Sequence, residues 1–504
     1  MSTATLTVNN VWTQVTTDDD RVHDLLTKEL RVWVKGAERR WEYKSKQWDG
    51  YERHYTQNRK FRTGLLETVS ELLKKQGYTF NIVDERVRPA YTLHDITLKG
   101  IDPRDYQLEA VDLAIAAGRG TIKHGTSGGK TETAAQIVQR LGLKAILMVD
   151  QAWLAAQTAE RWCEEMGVDI GLFAEKSKRD GDIVCTTFQS VNARLKSNKE
   201  KTLKWLAKFD VLIVDECQHL VAVTYQSAAD KCPAYFRFAF SATPFKSKGN
   251  KDTTDNDDPA AVIHVVGTAG PIIHEFNAGD LAEGGWVVPV HIVMWNWRDP
   301  TWWPTWKDEP TDFDINDDMF DWSGRRATKN QAAREGLYHA CIIGNAERNA
   351  AIVKAVAVCV EDKLPTLVLV EKKEHAMILR SLIQTYFDNN AMCNYISGKD
   401  SLAKREQMKD AMESGELPVL IATTVFDEGV NAPAIGALVL AGGGKAQHRL
   451  KQRLGRGMRL SEGKTELAAI DFFDTHSKLM WVHSQKRKAA YESDPTGYSI
   501  EVIS

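Results

Sequence analysis

The sequence predicts an α/β protein with two tandem, doubly wound parallel-sheet lobes preceded by a small α+β N-terminal domain. Three observations carry that expectation. Apolar runs of strand length alternate with amphipathic helical patterns twice along the chain, from about residue 105 to 288 and again after 345, the mark of βαβ units. A glycine-rich loop ending in Lys130 and Thr131 joins a strand-like run to a helical one in the first series. The first 98 residues show neither feature. The expected divisions are an N-terminal domain over 1–98, a first lobe over 99–288 and a second over 289–504.

In the N-terminal region, residues 31–62 hold ten Lys/Arg against four Asp/Glu, interleaved with Trp33, Trp41, Tyr43, Trp48, Tyr51, Tyr55 and Phe61. Cations for phosphates and rings for bases suit nucleic acid, with Trp48 a candidate contact. The same rings could equally form the core of a small β-rich domain. Leu65, Leu66, Val69, Leu72 and Leu73 recur at helical spacing over 63–76, and Gly77 stands in a stop position. First-lobe strands are expected at 121–123, 145–149, 183–186, 211–214 and 238–240, with helices at 131–141 and 153–166. Second-lobe strands are expected at 366–370, 419–422 and 437–440. Residues 247–258 read as a polar surface loop, and about 298–325 as an acidic, tryptophan-bearing insertion that either caps the second lobe or contacts a strand junction or a partner, the cap being the favoured reading.

A length of 504 residues allows roughly three domains of about 150 each. No apolar run approaches the ~20 residues of a membrane span, and the N-terminus has no signal-peptide pattern, so no membrane partner and a cytoplasmic location are expected. The seven cysteines are odd in number and lack C-x-x-C spacing, which indicates neither a disulfide framework nor a zinc site and fits core residues in a reducing compartment. A net charge of -3 excludes a uniformly basic surface but not a local positive track.

The loop Gly125-Thr126-Ser127-Gly128-Gly129-Lys130-Thr131 supplies glycines where backbone N–H groups must approach phosphate oxygens, and a helix N-terminus aimed at the same anion. Lys130 would neutralise β/γ-phosphate charge and Thr131 would ligate Mg²⁺. His124 stands where this loop usually has its first glycine. Eighty-five residues on, a buried strand delivers Asp215, placed to hold Mg²⁺, and Glu216, placed to polarise the attacking water. Arg456 and Arg459, three residues apart and so expected on one helical face, are candidates to stabilise charge on a γ-phosphate.

In chain order, Arg104-Asp105-Tyr106-Gln107, the glycine-rich loop, Thr187-Phe188-Gln189-Ser190, Asp215-Glu216-Cys217-Gln218-His219, Ser241-Ala242-Thr243, residues 423–431 and Gln452 to Arg459 resemble the motif series of superfamily 2 helicases and translocases. The resemblance implies RecA-like lobes and ATP with Mg²⁺ as cofactors. It implies that Gln107, with Arg104, reads adenine, and that Gly429 and Gln452 support the nucleotide. It also implies that Gln218, His219, Ser241, Ala242 and Thr243 couple nucleotide state to the track. The family commonly has Asp or His where Gln218 stands, which bears on coupling. Gln151, Gln157, Thr187, Gln189, Thr423 and Thr424 are the implied contacts to DNA backbone. In the N-terminal region Gln47-Trp48-Asp49-Gly50, Phe61-Arg62-Thr63-Gly64-Leu65 and Gln76-Gly77-Tyr78 look like the accessory domain of phage UvsW-type helicases. That subgroup implies branched or duplex DNA as partner, R-loop RNA–DNA hybrids included. A double-stranded DNA translocase and a nucleotide-dependent DNA clamp are the competing readings.

Overall fold

Alternation decides the first strands. The run Thr3–Val8 (β1) buries Ala4, Leu6 and Val8, as a strand covered on one face does. The strand Trp12–Thr16 (β2) pairs with it antiparallel, Arg31–Trp33 (β3) and Tyr51–Arg53 (β4) form a separate ribbon, and Lys60–Arg62 (β5) and Thr79–Asp84 (β6) complete a sheet of order β5-β2-β1-β6. Helices Asp20–Glu29 and Leu66–Lys75 place Val22, Leu26, Val69 and Leu73 in one core with Phe61 and Tyr55. The helix predicted over 63–76 opens as a 3-10 turn, Thr63–Leu65, and stops before Gly77 at φ 75°. Val266, with Val262 and Ile263, joins the same core from helix Pro259–Ala269, so the N-terminal domain sits directly on the first lobe. A Cβ on Gly64 would lie 1.9 Å from the Val266 carbonyl oxygen, which is why this contact needs glycine.

The computed structural model describes residues 3–503 except 35, 92–95, 176, 246–256, 298–334, 398–399, 424–433, 444–446, 476 and 493–497. The predicted 247–258 loop, all but its last two residues, and the 298–325 insertion therefore lie outside the described residues, as do Thr424 and Gly429. Short loop segments aside, the chain falls into two compact units, one reaching Phe276 and one beginning at Asn277.

The first-lobe strands are Arg119–His124 (β7), Ala145–Val149 (β8), Ile170–Ala174 (β9), Ser177–Arg179 (β10), Ile183–Thr187 (β11), Val211–Asp215 (β12), Phe236–Ser241 (β13) and Ile272–Phe276 (β14). Their order is β10-β9-β11-β8-β12-β13-β7-β14, parallel except for the β10–β9 pair. Continuous apolar runs are explained by burial on both faces. Leu147, Ile213 and Phe238 face one core, while Ile146, Met148, Leu212 and Val214 face the other.

The second unit has Val290–Trp295 (β15), Thr366–Leu369 (β16), Cys393–Ile396 (β17), Val419–Ala422 (β18), Ala437–Leu440 (β19), Leu467–Phe472 (β20) and Tyr498–Ile503 (β21), all parallel, in the order β17-β18-β16-β19-β20-β15-β21. Buried charge is met in pairs: Arg348 with Asp474 at 2.7 Å, and Arg487 with Asp471 at 2.8 Å, where Tyr491 also donates its hydroxyl at 2.7 Å. Arg487 and Tyr491 stand one turn apart on helix Lys478–Glu492 and so reach one carboxylate together. All seven cysteines are free thiols, six of them buried. Among the described residues no helix is long and apolar enough to cross a membrane.

Candidate nucleotide site and nucleic-acid track

The glycine-rich loop leaves the end of β7 and enters helix Lys130–Leu141 through Gly129 at φ 69°, with Ser127 at φ 68°. Two left-handed residues so close together turn successive N–H groups inward, the geometry of an anion nest. Gln107 is 3% exposed and already committed. Its carbonyl accepts from the Arg104 N–H at 3.0 Å, and its amide nitrogen donates to the Gly129 carbonyl at 3.4 Å. A Cβ on Gly129 would lie 2.1 Å from that nitrogen. Lys130 reaches back to the His124 carbonyl at 3.5 Å. The off-pattern His124 does not crowd the loop: its ring is fully buried, 2.9 Å from His274 Nδ1 and edge-on to Tyr106. Burial, with His274 and Lys130 adding repulsion, pushes its pKa down to about 3 and keeps it neutral.

The strand β12, one strand removed from β7, ends at Asp215. Glu216 follows at φ 49°, a strained conformation for a residue with a side chain. Burial first and Glu216 second push the Asp215 carboxyl up to about 7, with Lys130 opposing. A buried site that resists a second negative charge is one a divalent cation would relieve, and the oxygen donors of Asp215 and Thr131 fit Mg²⁺.

From Glu216 a relay runs inward. Gln218 Nε2 donates to Glu216 Oε2 at 2.7 Å, Ser241 Oγ donates to Gln218 Oε1 at 2.6 Å, and the Thr243 N–H donates to Ser241 Oγ at 2.9 Å. Gln218 thus occupies the departure position as a bridge, because an amide can donate to a carboxylate and accept from a hydroxyl at once. Ala242 lies between the relay's last two members, half-buried.

Asp150, at the C-terminal end of β8, gathers the next group. It accepts from Gln151 Nε2 at 3.2 Å, from Gln189 Nε2 at 3.3 Å and from the Tyr225 hydroxyl, with His219 Nε2 3.8 Å away. Tyr225 also accepts from Gln189 at 2.6 Å and stacks on Phe188 at 4.6 Å. Asp150 and Tyr225 were not among the sequence candidates; the available signal was the position of Asp150 just beyond a parallel strand, where ligands bind in such sheets. Thr187 is buried and caps helix Phe188–Ser197 through the Ser190 N–H at 3.1 Å, so its side chain serves the fold. Gln157 is exposed on helix Ala152–Met166.

In the second unit, helix Gln447–Gly457 carries Gln452 and Arg456 but ends before Arg459, which follows in a bend. The expectation that both arginines share one regular helical face is corrected. Gly457 packs so close to β20 that a Cβ would lie 2.6 Å from Leu467, and the chain turns away there. Arg453 pairs with Glu371 at 3.0 Å, and Thr423 is half-buried just after β18.

The N-terminal aromatics divide between the two expected roles. Phe61 and Tyr55 are core. Trp33 and Trp41 are 42% and 66% exposed. Trp33 lies edge-on to Tyr43 and Tyr51, Arg31 covers Tyr51 at 4.1 Å, and Arg40 stands 5.4 Å from Trp48. Trp48 is half-buried, its indole N–H donating to the Tyr51 carbonyl at 2.8 Å.

Two family models match: the Type III restriction enzyme res subunit over residues 100–246 and the helicase conserved C-terminal domain over 347–461, together just over half of the chain. Similar proteins include the DNA 3'-5' translocase XPB2 of Sulfurisphaera tokodaii, 25% identical over 73% of this chain and 81% of the relative. The ATP-dependent DNA helicase uvsW of Enterobacteria phage T4 is 23% identical over 85% of this chain and 82% of the relative. Among solved structures, the ATP-dependent Type ISP restriction-modification enzyme LlaBIII bound to DNA has a TM-score of 0.56 at 13% identity, covering 86% of this chain and 34% of that one. That likeness is one of fold.

Proposed function

We propose that this chain, which belongs to the superfamily 2 helicases and is an ATP hydrolase of that class, uses ATP to unwind or branch-migrate branched DNA: forks, D-loops, R-loops and junctions. Lys130 and the loop amides bind the β- and γ-phosphates. Thr131 and Asp215 hold Mg²⁺, which when bound offsets phosphate charge. Glu216 orients the attacking water, and Arg456 and Arg459 counter the charge that develops on the γ-phosphate. The observation that carries the motor reading is the relay from Glu216 through Gln218 and Ser241 to Thr243. A change at the hydrolytic carboxylate alters a hydrogen bond one residue from the motif assigned to coupling. Gln151, Gln189 and Thr423 grip the DNA backbone, and the exposed Arg/Trp ribbon of β3 and β4 supplies contacts for a branch.

A second reading, translocation on duplex without strand separation, is favoured by the relative named as a translocase. Strand displacement from a forked duplex, run beside displacement of a triplex-forming strand, separates the two. Displacement of the forked strand with ATP supports the helicase. Triplex displacement alone transfers the proposal to the translocase.

A further inference from the structure

The sequence offered no cysteine arrangement for a metal, yet three other donors meet where the N-terminal ribbon touches the first lobe. Glu52 lies on β4, His54 follows it, and His264 projects from helix Pro259–Ala269. Their ligand atoms all lie within 4.8 Å of one another. His264 Nε2 is 3.2 Å from Glu52 Oε1 and His54 Nε2 is 4.0 Å from it. Both histidine side chains are essentially buried, at 0% and 1% exposure, and Glu52 at 38% opens the cluster to water.

The surrounding hydrogen bonds fix the His264 proton. Thr268 donates its hydroxyl to the His264 carbonyl at 2.8 Å, so its oxygen accepts from Gln226 Nε2 at 2.5 Å. Gln226 therefore presents Oε1 to His264 Nδ1 at 2.8 Å, and Nδ1 carries the proton. The other nitrogen, Nε2, is the one that faces the Glu52 carboxylate oxygen at 3.2 Å. A ring nitrogen and a carboxylate oxygen at that spacing, with the His54 ring nitrogen beside them, form a set of donors for a metal ion. Among the described residues, His54 Nε2 and His264 Nε2 are buried ring nitrogens without a hydrogen bond of good geometry.

We propose that Glu52, His54 and His264 bind one divalent transition-metal ion of the zinc class, which pins the ribbon to the first lobe. Two imidazoles and a carboxylate with a fourth position open to water form a zinc donor set, and bonds of about 2.0–2.1 Å put tetrahedral donors about 3.4 Å apart, against 3.2 and 4.0 Å from the carboxylate to the two rings here. Gln226 is the outer partner that holds a ligating histidine in one tautomer. His54 must carry its proton on Nδ1, giving up a long 3.3 Å contact with Arg62 Nη1. Arg62 is already neutralised by Asp230 at 2.9 Å, so its charge is not left facing the ion.

The test uses the full chain, stripped with a chelator and free of nucleotide. Co²⁺ titration should give a visible d–d absorption saturating at one equivalent, and Zn²⁺ should displace it. Glu52→Gln, a partly exposed change that should leave the fold intact, is expected to weaken Zn²⁺ at least tenfold in competition with a chelating dye. His264→Ala should abolish the Co²⁺ band. Lack of stoichiometric uptake by the unaltered chain overturns the proposal. So does uptake that Glu52→Gln leaves unchanged, since the ion would then sit elsewhere.

Discussion

The nucleotide side of the first lobe and the N-terminal ribbon hold polar and aromatic side chains in opposite ways. Around the nucleotide site Gln107, Gln218 and Ser241 are buried, and each is tied to a neighbour by a hydrogen bond of defined direction. On the ribbon and the short helix Trp41–Lys44 between its strands, Trp33 and Trp41 stand at the surface, with Arg31 and Arg40 lying over neighbouring rings. Phosphoryl transfer needs a few atoms fixed to within fractions of an ångström. A sequence-independent grip on nucleic acid needs only charge and ring faces in roughly the right place. One substitution should therefore be costly at the first site and mild at the second.

The largest effect is expected from Arg456→Ala, which should bind ATP normally and lose roughly 10³-fold in turnover, the scale of an arginine finger. Steady-state kinetics beside nucleotide binding checks it, and turnover near that of the unaltered chain would remove Arg456 from the chemistry. Next, Gln218→Ala takes two hydrogen bonds from the relay and should cut DNA-stimulated turnover about tenfold while ATP affinity stays put. If basal and stimulated rates fall equally, the bridge serves hydrolysis and not coupling. On the ribbon, Trp33→Ala should weaken fork binding roughly fivefold, the lower end of the about 1–3 kcal/mol that base stacking is worth per ring. Turnover at saturating DNA should not change; a drop there would contradict the division drawn above. The smallest effect on catalysis should come from Gly64→Ala. Its Cβ would strike the Val266 carbonyl and cost about 1–3 kcal/mol of stability, read as a lower Tm with hydrolysis per folded molecule preserved.

Legibility follows the same division. The strand predicted at 145–149 is the strand observed, because it is a continuous apolar run, and the helix predicted at 131–141 begins one residue earlier, its ends marked by Gly129 and Gly142. By contrast β20 escaped notice. Its Asp471 makes the run look interrupted, and the Arg487 charge and Tyr491 hydroxyl that satisfy it come 16 and 20 residues later. Asp150 and Tyr225, 75 residues apart, escaped for a like reason: only the tertiary fold brings them together. The glycine-rich loop and the Asp215-Glu216 pair are contiguous and could be read directly. The end of helix Gln447–Gly457, set by packing against Leu467, could not, and so the placement of Arg459 was misjudged.

If a branched DNA partner governs hydrolysis in this chain, a fork should be its strongest activator. Steady-state ATP hydrolysis should be measured without nucleic acid and with single-stranded DNA, blunt duplex, a fork and RNA, using Lys130→Ala as the blank. The strongest stimulation is expected from the fork, and none in the blank. Equal stimulation by blunt duplex and fork, or none by any polymer, would contradict it.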